Sequence, residues 1–209
     1  MADRAATTSY SAAIFDLGGV LIDWNPRHLY RKLFPGDERG MERFLAEVTT
    51  PAWNRRQDGG RPFTEAIAEL QEAHPDKADL IAAYIDRWPE MIGGVNTDTA
   101  RLIRDLKARA MRVYALSDGS AETFPRVRSH VVELDLFDDI LISGEVNMTK
   151  SNPEIFRLAL MRFRVRASEA FFVDDIPANI EAARAKGLTA FLFSDAPALR
   201  RTLEAVGIL

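Results

Sequence analysis

From Gly93-Gly94 to the end of the chain, segments with helical periodicity alternate with short apolar runs. Helical segments are predicted over residues 97–109, 121–132, 153–163, 177–186 and 196–206, with strands at 112–116, 139–142, 170–173 and 189–193. Strands regularly separated by helices cannot pair as hairpins, so the pattern constrains the chain to a parallel sheet covered on both faces. Gly187, directly after Lys186, suits the left-handed residue that ends a helix.

An earlier apolar run, residues 12–21, belongs to the same sheet. It is broken by Gly18-Gly19 and reads as a central strand opening into a turn. In such sheets ligands bind just beyond the C-terminal strand ends, where the chain order reverses. Asp16 is therefore delivered to the rim, where it is a candidate nucleophile. A lone Asp before glycine can equally well cap a turn.

Between Asp23 and Met91 the strand signals vanish. Helical periodicity covers 26–34, 37–48, 63–74 and 75–88, with Phe63, Ala66, Ile67 and Leu70 recurring at three- and four-residue steps. The expected fold is thus α/β, a doubly wound parallel sheet with an α-helical cap inserted after the first strand. Its core would comprise residues 1–22 and 92–209, and its cap 23–91. Residues 53–60 read as a loop whose Arg55 and Arg56 could bind an anionic or hydroxylated substrate, or could be plain surface charges. Trp24, Trp53 and Trp88 read as cap core.

Composition narrows the chemistry. The 209 residues contain no cysteine, which excludes disulfides, thiol catalysis and cysteine zinc sites. His28, His74 and His130 lack paired ligand spacing, so a metal would need oxygen donors. A net charge of −4 with dispersed basic residues gives no nucleic-acid footprint. No segment has the length of a membrane span, and Met1–Tyr10 lacks the apolar core of a secretion signal. A small-molecule partner and a cytoplasmic location are expected, with monomer and homodimer both open.

Three more polar features fall at the predicted rim. Ser117 ends the strand 112–116, Lys150 precedes the helix opened by Pro153, and Asp174-Asp175 follows the strand 170–173. Taken singly, the Ser and the Asp pair could be helix caps and the Lys a solvated charge. Taken together, three carboxylates at one rim repel one another unless a cation lies among them. Oxygen donors without His or Cys suit Mg²⁺. A nucleophile, a metal, a lysine and a hydroxyl are the parts that phosphoryl transfer needs.

Four motifs in this order carry a family resemblance: Phe15-Asp16-Leu17-Gly18-Gly19-Val20, Leu116-Ser117, Lys150-Ser-Asn-Pro153, and Val173-Asp174-Asp175 followed by Asn179 and Gly187. Over about residues 12–193 the chain resembles the haloacid dehalogenase-like hydrolases, and within them the small phosphatases typified by α-glucose-1-phosphate phosphatase. The resemblance implies a Mg²⁺-dependent phosphatase of a small, sugar-phosphate-like metabolite, acting through an aspartyl-phosphate on Asp16. It implies that Ser117 and the next backbone amide hold the phosphate and that Lys150 pairs with nucleophile and phosphate. It further implies Mg²⁺ held by Asp16, the Gly18 carbonyl and Asp175, with Asp174 alongside and Asn179 behind.

Three positions depart from the family pattern. Gly18 stands where most of these phosphatases carry a second Asp as general acid and base, a loss that typically costs on the order of 10² to 10⁴ in rate. Asp118 replaces the usual Asn and would put a charge beside the phosphate or cap the next helix. Ser151 replaces a Pro after the lysine. A good leaving group would tolerate the gap at Gly18, or Asp23 or a cap residue would fill it. The alternatives are a catalytically silent relative that binds a ligand or partner, and a metal-independent 2-haloacid dehalogenase using Asp16 on carbon.

Overall fold

The computed structural model describes residues 10–209, so the reading of Met1–Tyr10 lies almost wholly outside the described residues. The chain runs β1 (Ala12–Phe15), β2 (Ile22–Trp24), α1 (Arg27–Leu33), α2 (Glu38–Glu47), α3 (Pro51–Asp58), α4 (Phe63–Ala73), α5 (Ala78–Asp86) and β3 (Ile92–Val95). It continues through α6 (Thr97–Ala108), β4 (Arg112–Ser117), α7 (Phe124–Arg128), β5 (Asp139–Ile142), α8 (Glu154–Phe163), β6 (Ala170–Asp174), α9 (Pro177–Ala185), β7 (Thr189–Leu192) and α10 (Ala196–Ala205).

Five strands form one parallel sheet in the order β5-β4-β1-β6-β7, with β1 at its centre. Because side chains alternate across a strand, Ala13, Phe15, Val113, Ala115, Phe171 and Val173 pack into one core. Ala12, Ile14, Tyr114, Leu116 and Phe172 pack into a second core on the opposite face. The registers Phe15↔Ala115 and Phe15↔Val173 bring the strand exits after β1, β4 and β6 to a common rim. The doubly wound sheet expected from the alternation is the fold observed.

The helices α1 to α5 lie between β2 and β3, and of these the periodicity predicts α1, α2, α4 and α5. Three local expectations are corrected. Residues 53–60 are not a loop, since Thr50 caps the Trp53 N–H at 3.0 Å, Pro51 occupies the first turn, and α3 runs on to Asp58. A short antiparallel ribbon pairs β2 with β3 where no strands were expected. The helix expected over 121–132 shrinks to α7, whose start is fixed by Pro125 in its first turn.

Trp53 and Trp88 are buried as expected, whereas Trp24 is only partly so. Gly187 has φ +83° directly after α9, the helix-ending conformation anticipated. No helix among the described residues is long and apolar enough to cross a membrane.

Candidate active site

The backbone N–H of Asp16 donates to the Val173 carbonyl at 2.8 Å, so the residue leaves β1 still tied to β6. Its Oδ1 accepts from the Leu17 N–H at 2.7 Å. The chain then turns sharply through Gly19, whose φ of +76° favours glycine. A Cβ on Gly19 would overlap the Asp175 carboxylate, so this glycine also lets the two loops approach.

Lys150 is buried to 1% exposure, an unusual place for a lysine unless it is paired. Its Nζ lies 2.9 Å from Asp16 Oδ1 and donates at 2.7 Å to Asp174 Oδ2. Asp174 also accepts from the Ile176 N–H at 2.8 Å and from Asn179 Nδ2 at 3.1 Å to each oxygen. Asn179 thus stands behind Asp174. Carboxylate oxygens of Asp16, Asp174 and Asp175 lie within 4.8 Å of one another.

Asp118 does not cap the next helix, α7, and keeps its carboxyl beside Ser117. Its Oδ1 accepts the Lys150 backbone N–H at 2.8 Å, which holds the lysine loop against the end of β4. Ser151 leaves Lys150 in place and instead bonds Thr149 Oγ1 at 2.7 Å. Ser117 is buried at the end of β4, and the Gly119 N–H nearby is committed to Ser143 Oγ at 2.9 Å.

Charge is crowded here. Burial pushes the Asp16 carboxyl above the ordinary range, Lys150 pulls it back and the Asp174 charge pushes it up again, with a net upward shift. Burial acts to remove the Lys150 proton, but Asp16, Asp174 and Asp118 together outweigh it and raise its pKa. Asp175 is raised by burial and by Asp174. One ammonium thus faces the carboxylates of Asp16, Asp118, Asp174 and Asp175. That surplus of hard negative oxygens fits a divalent cation such as Mg²⁺.

Above the rim opens a cleft of about 110 Å³, lined by Gly18, Ser117 and Asp118 from the sheet side and by Trp24, Asn54, Asp58, Phe63 and Trp88 from the inserted segment and its entrance. Helix α3 turns Asn54 and Asp58 to this cleft. Arg55 and Arg56, expected as substrate ligands, are exposed and are not among the cleft residues, and Arg56 pairs with Glu69 at 3.3 Å. Asp23, a suggested substitute acid, is exposed and bonds His28 at 3.0 Å.

The sequence reading missed Asn54, Asp58, Tyr84 and Ser143. Tyr84 OH donates to Asn54 Oδ1 at 2.8 Å, Asn54 Nδ2 donates to Asp58 Oδ2 at 3.0 Å, and Ser143 Oγ donates to the Asp58 carbonyl at 2.6 Å. The signal was present in Thr50-Pro51, a cap and first-turn pair that opens a helix and sets Asn54 and Asp58 four residues apart on one face.

Comparison with known proteins gives concordant results. A sesquiterpene phosphatase from Aspergillus oryzae is 28% identical over 190 residues, spanning 90% of this chain and 92% of that protein. A fructose-1-phosphate phosphatase from Escherichia coli is 24% identical, over 87% of this chain and 95% of its own. An enzyme from Bacteroides thetaiotaomicron, solved in complex with magnesium and inorganic phosphate, superposes with a TM-score of 0.67 at 22% identity, covering 90% of this chain and 96% of that one. The family model of the haloacid dehalogenase-like hydrolases matches residues 10–187, a span holding all four rim motifs. With that match and the parallel sheet that carries them, the chain belongs to the haloacid dehalogenase-like hydrolases.

Proposed function

We propose that the protein is a Mg²⁺-dependent phosphatase of small phosphomonoesters that works through an aspartyl-phosphate on Asp16. The observation that carries this reading is the buried ammonium of Lys150 between Asp16 and Asp174, with Asp175 beside them. Asp16, Asp174, Asp175 and the Gly18 carbonyl would hold the ion. When bound, Mg²⁺ supplies charge neutralisation for the phosphoryl oxygens and lets Asp16 stay ionised.

In the first step the Asp16 carboxylate attacks phosphorus and the bond to the substrate alcohol breaks. In the second, water attacks the same phosphorus and frees Asp16. Lys150 holds the carboxylate in line and offsets the charge that builds on the phosphoryl oxygens, while Ser117 offers its hydroxyl to one of them. Asp118 braces the lysine loop, and Arg55 and Arg56 have no assigned contact with substrate.

A sugar phosphate was the expectation for the substrate. The cleft also suits a more hydrophobic alcohol, because Leu17, Ile22, Trp24, Phe63, Trp88 and Phe124 give it an apolar wall. Such a wall rewards hydrocarbon, with polar groups confined to Asn54, Asp58, Ser117, Asp118, Ser120 and Thr123 beside it. The relative that acts on a sesquiterpene is in keeping with this.

Phosphate release from 4-nitrophenyl phosphate tests the reading. Turnover that requires Mg²⁺ and vanishes in Asp16→Asn supports it. No release from a broad phosphate panel would instead support a silent relative, and metal-free halide release from a 2-haloacid would support a dehalogenase.

A further inference from the structure

We propose that Asp58 is the general acid and base for this site, taking the place of the aspartate that Gly18 does not supply. The inference rests on the phosphatase reading above. Asp58 reaches the cleft from the last turn of α3 and lines it together with Gly18, Ser117 and Asp118. A Cβ on Gly18 would meet no atom within 4 Å, so the space usually filled by the missing side chain is open to the leaving group.

Asp58 is held rather than loose. The buried Tyr84 hydroxyl orients Asn54, Asn54 orients the Asp58 carboxyl, and Ser143 ties the Asp58 carbonyl to the turn after β5 by a 2.6 Å bond. The same Ser143 oxygen accepts from Gly119, so one hydroxyl locks the end of α3 against the rim. This fixes a titratable group in the cleft that also holds Gly18 and Ser117, as proton transfer to a bound substrate requires.

The surrounding charges suit it to both directions of transfer. Burial and the Asp118 charge push its carboxyl up to about 7, while Arg55 on its own helix and Lys150 across the cleft pull the other way. A carboxyl poised near neutrality can give a proton and take one back. In the first step the Asp58 proton passes to the leaving oxygen as the P–O bond breaks, giving the free alcohol and an Asp58 carboxylate. In the second, water loses a proton to that carboxylate as its oxygen bonds to phosphorus. The Asp16–phosphorus bond breaks, inorganic phosphate leaves, and Asp58 is again protonated.

Rapid-mixing kinetics of Asp58→Asn test this with two substrates. With 4-nitrophenyl phosphate, whose leaving group needs no proton, one equivalent of nitrophenolate per active site should appear in a burst. Steady turnover should then be slower than wild type by about 10² to 10⁴, with phosphate trapped on Asp16. With decyl phosphate the burst itself should be lost. Adding Gly18→Asp to Asp58→Asn should restore at least tenfold of the lost turnover, on the order of part of that acid–base contribution. Equal losses for both substrates without a burst, or no loss, would overturn the role of Asp58. If Asp58→Asn does not fold, Asn54→Ala serves, because removing a donor to the carboxylate should move the basic limb of kcat/KM to higher pH. An unmoved limb would overturn the proposal. Turnover surviving in Asp16→Asn would instead strike the phosphatase mechanism beneath it.

Discussion

Nζ of Lys150 lies 2.9 Å from Oδ1 of Asp16, with both side chains buried. Removing one partner of such a pair leaves a charge in a medium that cannot solvate it, at a cost of about 3–5 kcal/mol. Lys150→Met, which keeps much of the volume, should destabilise the metal-free protein by that amount in urea unfolding at pH 7. Added Mg²⁺ should recover part of the loss by binding only the folded state. A metal-free variant as stable as wild type would show that the pair contributes nothing to folding.

Gly19 makes a sharper case for the acidic cluster as a metal site. Its positive φ alone costs a non-glycine residue about 1–2 kcal/mol. In Gly19→Ala the new methyl would also displace Asp175. The variant should melt lower than wild type, and millimolar Mg²⁺, expected to raise the melting temperature of the parent, should not raise that of the variant. If the Mg²⁺ response survives intact, Asp175 is not holding the ion.

The raised Asp58 carboxyl has a thermodynamic consequence independent of turnover. Its folded-state pKa of about 7 exceeds the 3.8 of an ordinary Asp. Between those values this carboxyl therefore holds more proton in the folded protein than in the unfolded chain, and its own contribution to stability falls as pH rises from about 4 to about 7. Asp58→Asn removes that contribution, so its melting temperature should overtake that of wild type towards pH 8. Parallel pH–stability curves for the two proteins would contradict the shift.

The parts of the fold that were legible in the sequence were those carried by periodicity. The strands of the sheet buried on both faces read as apolar runs, and Asp16, Ser117 and Asp174 could be placed at their exits because all of those strands are parallel. What escaped depends on contacts between distant segments. Nothing local distinguishes Asp58 from Arg55 or Arg56 until α3 exists and Tyr84 and Ser143 fix which of its faces meets the cleft. Asp118 likewise acquires its role from Lys150, thirty-two residues further on. The ribbon of β2 and β3 escaped because three or four residues containing two glycines carry little strand signal.

The aromatic wall makes the last prediction, and it bears on the substrate rather than on the chemistry. The rings of Trp24 and Trp88 stack with centroids 6.4 Å apart, and both line the cleft. Trp24 is the less buried of the two, so it is the better probe of ligand contact. Covering roughly half an indole face with hydrocarbon removes about 50–100 Å² of apolar surface from water, equivalent to roughly 1.3–2.5 kcal/mol. Trp24→Ala should therefore lower kcat/KM for farnesyl or decyl phosphate by about 10- to 60-fold, since each 1.4 kcal/mol is a factor of ten. Inhibition by inorganic phosphate, which cannot reach the wall while held at the rim, should not change. Glucose 1-phosphate should be the poorer substrate of the wild-type protein and should lose little in the variant. A wild-type preference for the sugar phosphate, with Trp24→Ala neutral towards both, would show that the wall packs the protein and does not select its substrate.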